Sequence, residues 1–344
     1  MKKIFVFLVF IVLAFSCNDN CNTNNQYDQQ KEIISQFQEL KYGMFIHYGM
    51  STFTGREIDA GDMPSDTYAP TDLDVDQWIA VAREAGMKYA VLTSKHVSGH
   101  CLWDSKVQWK GKEYDYDVGT SIDNTDVIAE YIKACKKYDV KPGIYYCLMD
   151  THNSYGPDKW QEGILQPEYF QFVKDQVREL LNLYPDIFYL WLDIPRLASF
   201  EQRAEIYKMI KEIKPECIVL YNFGLRGGDS QTKINIEQFL AAWPTDVLNS
   251  ERYPLKPGLF DAEQKYQEKN YYLGYEHCDP LGKDWFWVPE DRPRPLDSIF
   301  HLYTQVQAGG GNLLLDVAPD TTGHIPEYSV KSLLQLRDRI KGQK

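Results

Sequence analysis

The chain has 344 residues, 44% of them hydrophobic and 25% charged, enough for a sizeable core in one large domain or two ordinary ones. A net charge of −12 and a pI near 5.1 argue against a general nucleic-acid binder, which needs basic surface for phosphate, and suit a neutral substrate better. None of the seven cysteines forms a CxxC pair, and neither a metal site nor another cofactor is indicated.

Lys2 and Lys3 precede an apolar run from Ile4 to Phe15, too short for a comfortable membrane span and shaped like a signal peptide over residues 1–16. A small residue directly before Cys17, in LAFSC, resembles a bacterial lipobox, which implies cleavage there and lipidation of the thiol. The alternative is a plain secreted protein. The polar run after it predicts a flexible tether over residues 17–34, too hydrophilic to pack, with the folded domain at 35–344. The expectation is an exported bacterial lipoprotein of the periplasm or outer membrane, touching a membrane only through its lipid.

Beyond the tether, strand-like runs fall at 43–49, 88–96, 140–150, 186–193, 217–224, 246–252, 271–277 and 312–318. Amphipathic helical patterns separate most of them, at 72–86, 125–138, 167–183, 201–214, 297–308 and 327–341. No helix is legible between 253 and 270. Eight strands alternating with helices, with no linker or shift in composition, predict a single-domain (β/α)8 barrel of the α/β class.

Polar residues gather where those strands end: His47, then Lys95 and His96, Asp150 and His152, Asp193, Asn222, Glu251, Glu276 and His277, and Asp316. In a barrel these ends converge on one mouth, where active sites are built. Asp193 closes the apolar strand YPDIFYLWLD, where an ionised carboxylate is costly unless it is paired or has work to do. Asp316 and Lys95 are also compatible with satisfied positions in the barrel core. Carboxylates and histidines without a nucleophile elbow, phosphate loop or thiol–histidine signature point to acid/base or covalent carboxylate chemistry, and glycoside hydrolysis meets that description.

Several blocks in order also resemble the α-L-fucosidases of glycoside hydrolase family 29: KYGMFIHYG, VLTSKHVSGHCLWDSK, GIYYCLMD, VRELLNLYPDIFYLWLD, WFW and GGGNLLLDVAPDTTGHIP, over about residues 38–330. The resemblance implies a retaining exo-α-L-fucosidase acting on terminal fucosyl residues of oligosaccharides or glycoconjugates, with Asp193 as nucleophile. It leaves the acid/base open among Glu251, Glu276 and Glu237, taken in that order. His47, His96 and Tyr146 would bind sugar hydroxyls, and Trp285 and Trp287 would line the site. The chain departs from the family pattern at Tyr48, Val97 and Ser98, where Trp, His and Asp are usual, and the Glu-Trp-Tyr motif is not evident in GREIDAGDMPSDTYAP. The alternatives are a glycosidase for a related sugar such as an α-L-galactoside, or a glycan-binding lipoprotein without turnover. The β-sandwich that many relatives carry after the barrel is not expected, so any leaving-group contacts it supplies would be missing or supplied by a partner.

Overall fold

The computed structural model describes residues 19–154, 165–222 and 233–342. Eight parallel strands form the barrel: β1 (Tyr42–Ile46), β2 (Tyr89–Lys95), β3 (Lys141–Cys147), β4 (Tyr189–Asp193), β5 (Ile218–Tyr221), β6 (Val247–Glu251), β7 (Gly274–Pro280) and β8 (Asn312–Asp316). Their ladder runs continuously from β5 through β4, β3, β2, β1, β8 and β7 to β6. The last seam, β5 to β6, is stitched instead by single bonds: Asp246 N to Val219 O at 2.8 Å, and Val219 N to Asp246 Oδ2 at 2.9 Å. The expected (β/α)8 architecture is therefore present, as a nearly closed barrel in one domain.

The helices form where the apolar spacing places them. Helix α2 (Val75–Glu84) starts at Asp74, whose side chain accepts the Gln77 N–H, and α3 (Val127–Tyr138) starts at Asp126, which accepts from Ala129. These caps satisfy donors that a helix start leaves unpaired. α4 (Pro167–Leu183) buries Phe170, Val173, Val177, Leu180 and Leu181, and α5 (Phe200–Ile213) opens on a Ser199–Gln202 capping box. α6 (Leu296–Ala308) and α7 (Glu327–Lys341) complete the outer layer.

Two expectations need correction. The segment assigned to the tether is helical from Asp19 onward, as α1 (Asp19–Gln38). Its last two turns carry Ile34 and Phe37, both buried, and Phe37 packs edge-on to Tyr89 at 5.5 Å and against Tyr189 at 5.1 Å. Upstream, Gln30 bonds Asp246 and Lys31 pairs with Glu263, so polar residues follow a helix that its apolar end has docked beneath the barrel. The expected leader and Cys17 lie outside the described residues.

The second correction concerns 271–277. Tyr271 and Tyr272 belong to an antiparallel hairpin, Glu263–Tyr266 with Lys269–Tyr272, in the stretch between β6 and β7 where no helix was legible. The barrel strand therefore begins at Gly274, three residues later than expected. Glu276 then pairs in register with Asn249 and Asn312, below the mouth rather than at it. Gly43 on β1 shows how tight the barrel floor is: a Cβ there would stand 2.5 Å from the Tyr89 ring, so only glycine fits without displacing it.

Candidate active site

Asp193 ends β4 and Glu251 ends β6, and the residue after each turns into the left-handed region, Ile194 at φ 54° and Arg252 at φ 64°. That conformation is strained for a β-branched residue. At Ile194 it turns a backbone N–H onto the carboxylate, donating to Asp193 Oδ1 at 2.8 Å. The Asn222 amide donates to the same oxygen at 2.8 Å, and the Tyr145 hydroxyl donates to Oδ2 at 2.7 Å. An ionised carboxylate only accepts, and three donors on about four lone-pair sites leave Oδ2 one free for bond formation.

The same Asn222 nitrogen reaches Glu251 Oε2 at 3.4 Å. Burial, and then the charge of Asp193 beside it, raises the Glu251 carboxyl above its ordinary range. Neighbouring acids in unlike settings suit unlike tasks, and Glu251, the one pushed up, holds its proton longer.

The opposite side of the mouth is aromatic. His47 meets Asp316 Oδ1 through Nδ1 at 2.8 Å, and burial pushes that aspartate up to about 6 while His47 pulls it back. His96 stacks on Tyr145 with ring centres 5.4 Å apart and stands 5.6 Å from His47. Burial, then His47, holds His96 well below its usual range, and its Nδ1 has no partner among the described residues. A neutral imidazole with a vacant nitrogen can donate to or accept from a hydroxyl. Trp285 lies 5.2 Å from His47 with the Arg252 guanidinium 4.8 Å over its ring. His47, His96, Tyr145 and Trp285, with Asp193, Asn222 and Glu251, line a cavity enclosing roughly 440 Å³, its open mouth included.

Of the predicted site residues, the structure brings Asp193, Glu251, His47, His96 and Trp285 to this cavity. Tyr146 is elsewhere. Its hydroxyl donates to Gln176 on α4 at 2.8 Å, and its ring lies under Lys95 Nζ, whose own partner is Asp150 at 3.4 Å in a buried pair behind the strands. Successive strand residues face opposite sides, so Tyr145 takes the inward position and Tyr146 the outward one. Trp287 bonds the Tyr328 hydroxyl at 3.0 Å and lines a separate hollow with Arg292. Glu237 is exposed on the short helical stretch Ile236–Ala242, away from the cavity.

Glu276 is displaced most. It is fully buried beneath the cavity, accepting from Tyr89 OH at 2.6 Å, Tyr189 OH at 2.8 Å and Trp191 Nε1 at 3.0 Å. Burial pushes its carboxyl up to about 7, against the pull of those three donors. The folded chain then holds this proton more tightly than the unfolded chain does. Its contribution to stability is full below about 4.5 and is lost as pH rises through about 7. Glu276→Gln is expected to flatten the fall in unfolding free energy across that window, measured by urea titration at several pH values. A fall as steep as in the parent would remove Glu276 as its source.

Residues the sequence reading did not assign to sugar or catalysis also line the cavity: Tyr145, Trp191, Phe45, Cys278, Glu57 and Ile58. Glu57 and Ile58 sit on a loop pinned by buried Asp59, which accepts from Thr54 at 2.5 Å and from the Gly61 N–H at 2.8 Å. The apolar runs of β3 and β4 mark the strands but not which of their residues face inward, so they do not single out Tyr145 and Trp191. No local signal marks Glu57. Among the described residues, no group of three or more His, Cys, Asp or Glu side chains is placed to hold a metal ion.

A family model described as α-L-fucosidase matches residues 62–341. The chain is 28% identical over 312 residues to α-L-fucosidase 1 of Arabidopsis thaliana, covering 87% of this chain but 57% of that protein's length. It is 22% identical to the α-L-fucosidase of Dictyostelium discoideum, over 98% of this chain and 76% of that one. Among solved structures, α-L-fucosidase isoenzyme 1 from Paenibacillus thiaminolyticus superposes with a TM-score of 0.71 at 25% identity, covering 91% of this chain and 76% of that one. The α-L-fucosidase AlfC from Lactobacillus casei, solved with α-L-fucose product, shares the fold with a TM-score of 0.69 at 21% identity, over 91% of this chain and 99% of its own.

Proposed function

Because the chain belongs to the α-L-fucosidase family, we propose that it hydrolyses terminal α-L-fucosyl residues from glycans with net retention, Asp193 acting as nucleophile and Glu251 as acid/base. The observation that carries this reading is the shared amide. Two carboxylates bonded to one nitrogen at 2.8 and 3.4 Å have those oxygens within the sum of these distances, about 6 Å. Retaining glycosidases hold their carboxyls at roughly 5–5.5 Å, whereas inverting ones leave about 6.5–9.5 Å for a water. The pair also supports turnover over mere glycan binding.

In the first step Asp193 Oδ2 bonds to the anomeric carbon as the glycosidic C–O bond breaks, and Glu251 gives its proton to the departing oxygen. In the second, Glu251 as carboxylate takes a proton from water, whose oxygen displaces Asp193. The imidazoles of His47 and His96 bind sugar hydroxyls, and the rings of Trp285 and Trp191 meet its apolar face. The leader over residues 1–16 and Cys17 support an exported, lipid-anchored enzyme.

An aryl α-L-fucoside is expected to be hydrolysed, and an aryl α-L-galactoside, which adds one hydroxyl, more slowly. Hydrolysis of the galactoside alone would transfer the reading to that sugar, and a folded chain inert on both would favour a binding protein.

A further inference from the structure

Asn222 serves both acids only if its carboxamide points one way. With the N–H edge toward them it donates, and reversed it would set a carbonyl lone pair against an ionised Asp193. The two edges of an amide have nearly the same shape, so a neighbour's hydrogen bond, rather than packing, selects the orientation. Asn249 makes one such bond: its Nδ2 donates to Asn222 Oδ1 at 2.9 Å.

Asn249 lies on β6 two residues before Glu251 and so shares its inward face. It is 1% exposed and is not among the residues that line the cavity. Its nitrogen also reaches Cys278 Sγ at 3.4 Å, while its own Oδ1 has no partner among the described residues. A buried carbonyl without a partner is costly, and an apolar side chain of similar size would avoid that cost. The amide has a use in what its nitrogen does to Asn222.

We propose that Asn249 is a positioning residue that locks the Asn222 carboxamide with its N–H edge toward Asp193 and Glu251, so that one donor sets both acids for the two-step reaction. The proposal rests on the roles assigned to those acids above. The other titratable or charged groups facing the pair, His47, His96, Tyr145, Arg252, Glu57 and Cys278, stay unchanged in the test.

The test is a double-mutant cycle of Asn249→Leu, Asn222→Ala and the two combined. In carbon-13 titrations of glutamate-labelled protein, with the signal assigned by its loss in Glu251→Gln, the Glu251 carboxyl is expected to titrate about one pH unit higher in either single variant. It should move no further in the double variant, because both substitutions remove the same donor. On an aryl α-L-fucoside, kcat/KM is expected to fall about tenfold in each single variant and no more in the double. Asn249→Ser keeps a donor in a smaller volume. It is expected to restore part of both effects, and it supplies the cycle if the leucine variant does not fold. Additive shifts, or a parental Glu251 titration in a folded Asn249 variant, would overturn the proposal. The titration needs no turnover, so an inactive parent chain would count against the fucosidase reading alone.

Discussion

Asp193→Ala is expected to lower kcat/KM on an aryl α-L-fucoside by about a thousandfold or more, because the covalent intermediate of the proposed mechanism forms on its carboxylate. The fold should survive. Asp193 is only partly buried at the end of its strand, and the barrel layers beneath it do not depend on its charge. Removing the carboxylate also frees Tyr145 and Asn222 to face the cavity, where a small anion such as azide could take their donors and attack the anomeric carbon. Partial recovery with azide, giving a glycosyl azide of inverted configuration, would establish Asp193 as the nucleophile. Undiminished hydrolysis by the variant would exclude it.

Glu251→Ala is expected to separate substrates by leaving group. A glycan leaving group departs as a poor anion and needs the proton, so its hydrolysis should fall by about 10²–10⁴-fold. A fucoside with a very good leaving group needs little protonation and should lose far less in its first step. The pH profile carries the same information with a definite sign. A general acid works while protonated, so activity falls as pH rises through its titration, and burial beside Asp193 places that fall above the ordinary carboxylate range. The alanine variant should lose that alkaline limb. Equal losses on both substrates would move the acid/base role elsewhere, with Glu57 the other glutamate lining the cavity.

The outcomes for Tyr145, Tyr146 and Glu276 show what limits a reading of the chain alone. The strand containing Tyr145 and Tyr146 was legible from its apolar run, but the run is hydrophobic on both faces and so carries no phase. One residue of phase decides whether a tyrosine holds the nucleophile or packs against α4. For Glu276 the difficulty was a boundary. Two tyrosines that read as barrel strand belong to a surface hairpin, and a three-residue shift moved the glutamate from the mouth to the floor. The docking of α1 had a local cue in Ile33, Ile34 and Phe37, but their partners Tyr89, Tyr189 and Gly274 are remote in sequence.

By itself, the sequence determined the class of fold and the family, because both follow from local periodicity and from short motifs in order. It also placed Asp193 and Glu251 at strand ends, Asp193 closing a strong apolar run and Glu251 a weaker one. Only the tertiary structure decided which groups share the cavity. It put Asn222 between the two acids, Asn249 behind Asn222, and Glu57 at the rim. Those relations join residues 27 to nearly 200 positions apart. They depend on strand register, on which face a side chain takes and on where a loop is pinned, and short-range pattern does not encode them.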